Sequence, residues 1–118
     1  MVKIGAVRRL ALSLPEASEK GHHGMPSFRI GDRIFATVPD NDHLHVMLGP
    51  DEVDLAVKTA PEAFEELRWG RQLAGVRVNL AVAERELLEV LLNEAWRRKA
   101  PRRLTRLLEG PGPTGNDR

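Results

Sequence analysis

The sequence contains no cysteine, which excludes disulfide staples and thiolate metal centres. It has no tyrosine, and its aromatic rings are three phenylalanines and two tryptophans. Phe28, Phe35, Phe64 and Trp96 fall in apolar patterns that give them core roles. No exposed aromatic platform for stacking single-stranded nucleic acid is therefore expected. No apolar run approaches the roughly 20 residues of a membrane-spanning helix, so the membrane is not an expected partner. The opening "MVKIGAVRRLALSLPEAS" has a short apolar stretch, but arginines interrupt it, and it reads as a helix rather than a signal peptide. A cytoplasmic location fits. There is no internal repeat. A chain of 118 residues makes one domain, and folding at this length buries roughly two-thirds of its surface without a staple.

The net charge is only +1, but it is unevenly distributed. Arg97, Arg98, Lys99, Arg102, Arg103 and Arg106 lie within one short stretch that holds no acidic residue. The remainder of the chain is therefore net negative. A basic end on a mildly acidic body points to an anionic partner.

Hydrophobic periodicity gives the element order. Ile4, Val7, Leu10, Ala11 and Leu14 recur at helical spacing, and the predicted helix runs from Val2 to Ser13, ended by Pro15. "EASEKGHHG" reads as a first edge strand. "SFRI" and "RIFATV" flank Gly31-Asp32, a Gly-first loop that suits a two-residue type II′ hairpin. That register places Phe28 directly opposite Phe35, a cross-strand aromatic pair worth about 0.2–1 kcal/mol over Ala–Ala. After the turn "PDND", "HLHVML" alternates strictly, with Leu44, Val46 and Leu48 on one side and His43, His45 and Met47 on the other.

"GPDEVDLAVKTA" begins a helix, with Pro50 in its first turn and Asp51 and Glu52 at the positive end of its dipole. Pro61 is expected to open a second short helix, "PEAFEELRW". "GVRVNLAV" is a strand with Val76, Val78 and Leu80 inward and Arg77 and Asn79 outward. The longest helix follows, from Glu84 to Lys99, with Leu87, Leu88, Leu91, Leu92, Ala95 and Trp96 on its apolar side. Pro101 stops it, and "RRLTRLL" continues as a further helical turn or two. The expected fold class is α+β: a mostly antiparallel sheet of about five strands with helices packed on one face and the other half solvated. The domain spans residues 1–109, and "GPGPTGNDR", residues 110–118, has the composition of a disordered tail.

Read together, "HGMPSFRIGDRIFATV", "HVML", "WGRQLAGVRVNLA" and "EAWRRKAPRRL" resemble the MmcQ/YjbR-like family, over nearly the whole chain to Leu104. The resemblance implies a small α+β protein with a frataxin-like sheet and a double-wing shape. It also implies a DNA-binding role and no catalytic residues. Arg33 stands where many members have Lys, and Trp96 where many have Tyr. The acidic first-helix ridge that frataxins use for iron is missing, since that helix carries Lys3, Arg8 and Arg9 instead.

Several sites are open to reading from the residues. His43 and His45 are two apart on one strand, so they point the same way, about 7 Å apart. His22 and His23 could join them if the first strand pairs nearby. A metal site needs three or four ligands, and no HxxE, HExxH or DxH spacing accompanies these histidines, so neither a metal nor another cofactor is expected. No serine or threonine sits in a nucleophile elbow, and "GPGPTG" lacks the lysine of a phosphate loop. The chain is therefore expected not to be an enzyme. Double-stranded DNA is the expected partner. It would be met by the basic cluster Arg97, Arg98, Lys99, Arg102, Arg103 and Arg106, with Arg29 or Arg33 on the hairpin as a wing. Arg77, His43 and His45 add an outward set on the sheet. The competing class is a protein-interaction module, a homodimer or a partner-bound subunit. There Trp69, read at a helix end beside a glycine loop, is either a core lid or a contact residue.

Overall fold

The computed structural model describes residues 1–109; the expected tail, 110–118, lies outside the described residues. The elements are α1 (Ile4–Leu12), β1 (Ala17–His22), β2 (Met25–Ile30), β3 (Arg33–Asp40), β4 (His43–Met47), α2 (Pro50–Thr59), β5 (Phe64–Trp69), β6 (Gln72–Asn79), α3 (Arg85–Lys99) and α4 (Arg102–Glu109). The strands form one antiparallel sheet in the order β1-β2-β3-β4-β6-β5. The first four make a meander. α2 then carries the chain past the place of β6 to the far edge, and β6 returns between β4 and β5. The fold is α+β, as the patterning predicts.

Tight turns set the register. Gly31 has φ +63° and Asp32 does not enter the left-handed region, which is the backbone of a Gly-first hairpin turn. The β1–β2 turn is different: His23 (φ +51°) and Gly24 (φ +80°) are both left-handed, the requirement of a type I′ turn.

One face of the sheet is apolar because alternate residues of every strand point there. Phe28, Ala36, Val46 and Val76 face one another across four strands, and none has exposed surface. The helices cover this face. α1 contributes Val7, Leu10 and Ala11, and α3 contributes Leu88, Leu91, Leu92, Ala95 and Trp96. Trp96 is fully buried, and its Nε1 donates to the Pro15 carbonyl at 3.0 Å. That bond ties the longest helix to the corner between α1 and β1.

Two local expectations change. Residues 64–69 form β5, not part of a second short helix, so the sheet has six strands. Phe64 and Leu67, three apart, fit helical spacing, but in a strand they point to opposite faces, and both are buried here. The ladder along β6, from Phe64↔Val78 to Trp69↔Gln72, satisfies backbone groups that a short helix would leave at its ends. The second change lies in the β2–β3 hairpin. A bulge after Phe28 sets that residue opposite Ala36 and leaves Phe35 as the extra residue. Phe28 and Phe35 are both fully buried but are not a direct pair. The inserted residue also shifts the alternation beyond it, which turns Thr37 toward the open face of the sheet.

Candidate nucleic-acid interface

The basic cluster lies at an elbow. α3 ends where Ala100 N donates to Trp96 O at 2.8 Å, Pro101 prevents continuation, and α4 starts at Arg102. Buried Leu104 holds α4 on the core. The three cations in the last turn of α3 complement the negative end of its dipole. The tip of the β2–β3 hairpin meets this elbow. Between them is a cleft of about 270 Å³ whose walls include Arg33, Lys99, Arg103, Asp32 and Glu16. Lys99 is held below the ordinary lysine range, chiefly by burial and then by the nearby positive charges of Arg33 and Arg98. Among the described residues, neither Arg33 nor Lys99 is part of a salt bridge. Arg103 is engaged: its Nη1 and Nη2 donate to the Glu16 carboxylate at 3.0 and 3.3 Å. That bond pulls the Glu16 carboxyl below its usual range. Arg98 lies 3.8 Å from Glu52, Arg97 is half-buried with a partner of its own, and Arg102 and Arg106 are exposed.

A second constellation occupies the open face. The register aligns Lys20, Ser27, Thr37, His45, Arg77 and Glu65 in one row across all six strands. Most of the row is linked by its own side chains. Ser27 Oγ donates to Lys20 O at 2.7 Å and accepts from Arg29 Nε at 3.0 Å. Arg77 Nη1 donates to His45 Nε2 at 2.8 Å, and Arg77 Nε lies 3.5 Å from Glu65. Burial, then Arg77, then His43 push the His45 imidazole below the usual histidine range. Thr37 is the gap. It is 7 % exposed, and its hydroxyl has no hydrogen-bond partner among the described residues.

A groove of about 550 Å³ runs along this face, with His22, His23, Met25, Thr37, Met47 and Trp69 among its walls. Trp69, at the end of β5 beside the Gly70 turn (φ +63°), is 60 % exposed, so it is not a core lid. His22 and His23 stack edge to face, 4.3 Å between ring centroids, and with His45 they border this groove. His43 turns to a separate cleft and sits 3.0 Å from the Asp40 carboxylate. Asp40 is held below its usual range by the Asp42 backbone N–H first and then by His43. Among the described residues no group of three or more histidine and carboxylate side chains is placed to hold a metal ion. No described helix is long and apolar enough to cross a membrane.

The sequence-derived set is thus divided. Arg33 joins Lys99 and Arg103 at the elbow, with Arg102 and Arg106 on α4. Arg29, Arg77, His43 and His45 belong to the open face, with His43 in a separate cleft that it shares with Arg77 and Glu65. Thr37 was not legible as a site residue, because only the bulge turns it outward. Trp69 was visible as a residue of interest, but in the wrong kind of element.

Comparison with known proteins agrees with this fold. The crystal structure of Deinococcus radiodurans protein DR2400, a family DUF419 domain, superposes with a TM-score of 0.72, covering 94 % of this chain and 91 % of that one at 18 % identity. That likeness is one of fold. No curated protein matches the sequence. The YjbR family model matches residues 12–98, which includes the whole sheet and nearly all of α3. By fold and by that match across most of its length, the chain belongs to the YjbR family.

Proposed function

We propose that this YjbR-family protein binds double-stranded DNA and catalyses no reaction, contacting phosphates through the α3–α4 elbow and the tip of the β2–β3 hairpin. The observation that carries this reading is the meeting of Arg33 and Lys99 at one cleft. Two cations far apart in sequence are brought together with no ion-pairing carboxylate among the described residues. Asp32 lines the same cleft without bridging either cation, and a phosphate between the two charges would be attracted by both. Arg102 and Arg106, exposed on the adjacent helix, extend the surface along which a phosphate backbone could run. Cation–phosphate contacts of this kind position a protein on the duplex without reading its sequence.

The test is a fluorescence-anisotropy titration of labelled random-sequence duplex at low and moderate salt. It compares the native chain with a variant in which Arg33, Lys99, Arg102 and Arg106 are all alanine. Affinity is expected to fall linearly on a log–log salt plot, with a slope of about −0.9 per neutralised phosphate. The variant should bind more weakly and with a shallower slope. Absence of binding at low salt, where electrostatic attraction is strongest, rules the reading out.

A protein-interaction role is favoured by a separate observation. Leu55 of α2 and Val90 of α3 are 68 % and 57 % exposed on an apolar cleft of about 280 Å³, edged by Glu52 and Glu94. Two exposed aliphatic side chains on one cleft suit a partner helix. A sedimentation profile that depends on protein concentration, and is abolished in Leu55→Asp, is the result expected for a homodimer through this face.

A further inference from the structure

The open-face row contains one buried polar group that the protein leaves unused. Thr37 is 7 % exposed, lines the groove and has no hydrogen-bond partner among the described residues. A hydroxyl that faces the groove with no protein partner is a place where a ligand atom can bond without displacing a protein contact. Directly across the strand pair is His45, with side chains roughly 5 Å apart at their roots. Its Nε2 accepts from Arg77, and a guanidinium can only donate. The imidazole proton therefore sits on Nδ1, which is a donor with no partner among the described residues. At the far end of the same groove Trp69 exposes 60 % of its surface. Met47, two residues past His45, supplies polarizable apolar wall toward Trp69, and Met25 lines the opposite end beside His22 and His23.

Successive flat rings with carbonyl and N–H groups on their edges match this combination. The face of one goes to the indole, and the edge of another goes to the fixed donor and the hydroxyl. The row carries Lys20 and Arg77, the latter 3.5 Å from Glu65, and the groove wall carries Lys99 beside Asp32. Lys99 and Asp32 border both this groove and the elbow cleft, so the two surfaces are continuous around the hairpin tip. In a duplex, base faces and pairing edges are hidden. We propose that the open-face groove receives unpaired bases of a single nucleic-acid strand, one stacked on Trp69 and another hydrogen-bonded by Thr37 and His45, while the phosphates lead toward Lys99 and the elbow. This rests on the nucleic-acid reading for the kind of partner, but not on duplex binding.

The experiment uses tryptophan emission of the full chain, because Trp96 is fully buried and only Trp69 can be quenched by stacking. The probes are an oligothymidylate of about 15 nucleotides, an abasic strand of equal length, the random duplex and free thymidine monophosphate. Oligothymidylate should quench saturably and bind more tightly than the abasic strand. Trp69→Ala, followed by anisotropy, should weaken binding on the order of tenfold or more. Thr37→Val, which keeps the shape and removes the hydroxyl, should weaken it about three- to tenfold. Equal binding of thymidylate and abasic strands, or unchanged affinity in Trp69→Ala, overturns the proposal. Quenching by the free mononucleotide at concentrations as low as for the strand overturns the strand in favour of a nucleotide. Failure of duplex binding with base-dependent quenching intact removes the elbow reading and leaves the groove standing.

Discussion

Arg77 Nη1 donates to Nε2 of His45 at 2.8 Å, so in the folded protein this imidazole is an acceptor and stays neutral. Protonating it would place two cations in contact on a partly buried surface. Burial, Arg77 and His43 together depress its pKa, whereas the unfolded chain titrates near 6.5. The unfolded state therefore binds the proton first as pH falls. The stability that depends on neutral His45 is complete above about pH 6.5 and is lost as pH drops through the depressed folded value. Thermal unfolding midpoints measured from pH 7.5 to 5 should decline, and His45→Gln, whose amide oxygen can still accept from Arg77, should flatten that decline. The Asp40 and Glu16 carboxyls, both depressed, begin to lose their contribution only below about pH 5, at the acid edge of this window. An equally steep decline in His45→Gln would place the titration elsewhere.

Gly75 is the point of closest approach between β6 and β4. A Cβ there would overlap the Val46 carbonyl oxygen and crowd Leu48 N at 2.9 Å, both of them backbone atoms that cannot swing aside. Gly75→Ala should therefore destabilise the protein by more than about 2 kcal/mol, toward the upper end of overpacking effects. Gly21→Ala, in edge strand β1 with nothing within 4 Å of the added atom, should be close to neutral. Urea denaturation of the pair measures the contrast directly; similar midpoints would show that the two strands can separate at little cost.

Trp96 joins burial to a long-range hydrogen bond, donating from α3 to the Pro15 carbonyl. Trp96→Phe removes the donor, strands the carbonyl and leaves part of the indole volume empty. A loss of roughly 2–4 kcal/mol is expected from the combined hydrogen-bond and cavity effects. It would be read as a lower denaturation midpoint with an unchanged m-value. A loss below about 1 kcal/mol would mean that the corner repacks and the bond contributes little.

Local pattern determined much of this protein. Alternation in "HLHVML" separates His43 and His45 from Leu44 and Val46 with no tertiary information, because strand periodicity is a property of the backbone. The apolar stripe from Leu87 to Trp96 likewise defines α3, and Gly31-Asp32 defines a hairpin turn through the one residue free to take positive φ. Family membership was legible too, since several short motifs occur in the expected order.

Tertiary structure decided the rest, and each case depends on partners distant in the chain. Residues 64–69 carry a helix-like spacing of Phe64 and Leu67, and only the ladder offered by β6 makes them a strand. The bulge that separates Phe28 from Phe35 and turns Thr37 outward depends on how β3 pairs on both sides at once. Arg33 and Lys99 meet because the hairpin tip and the end of α3 reach the same end of the sheet. Short-range spacing reports which face a residue takes within its own element. Which other elements that face will meet is set by long-range pairing and packing, and the candidate sites are made of those meetings.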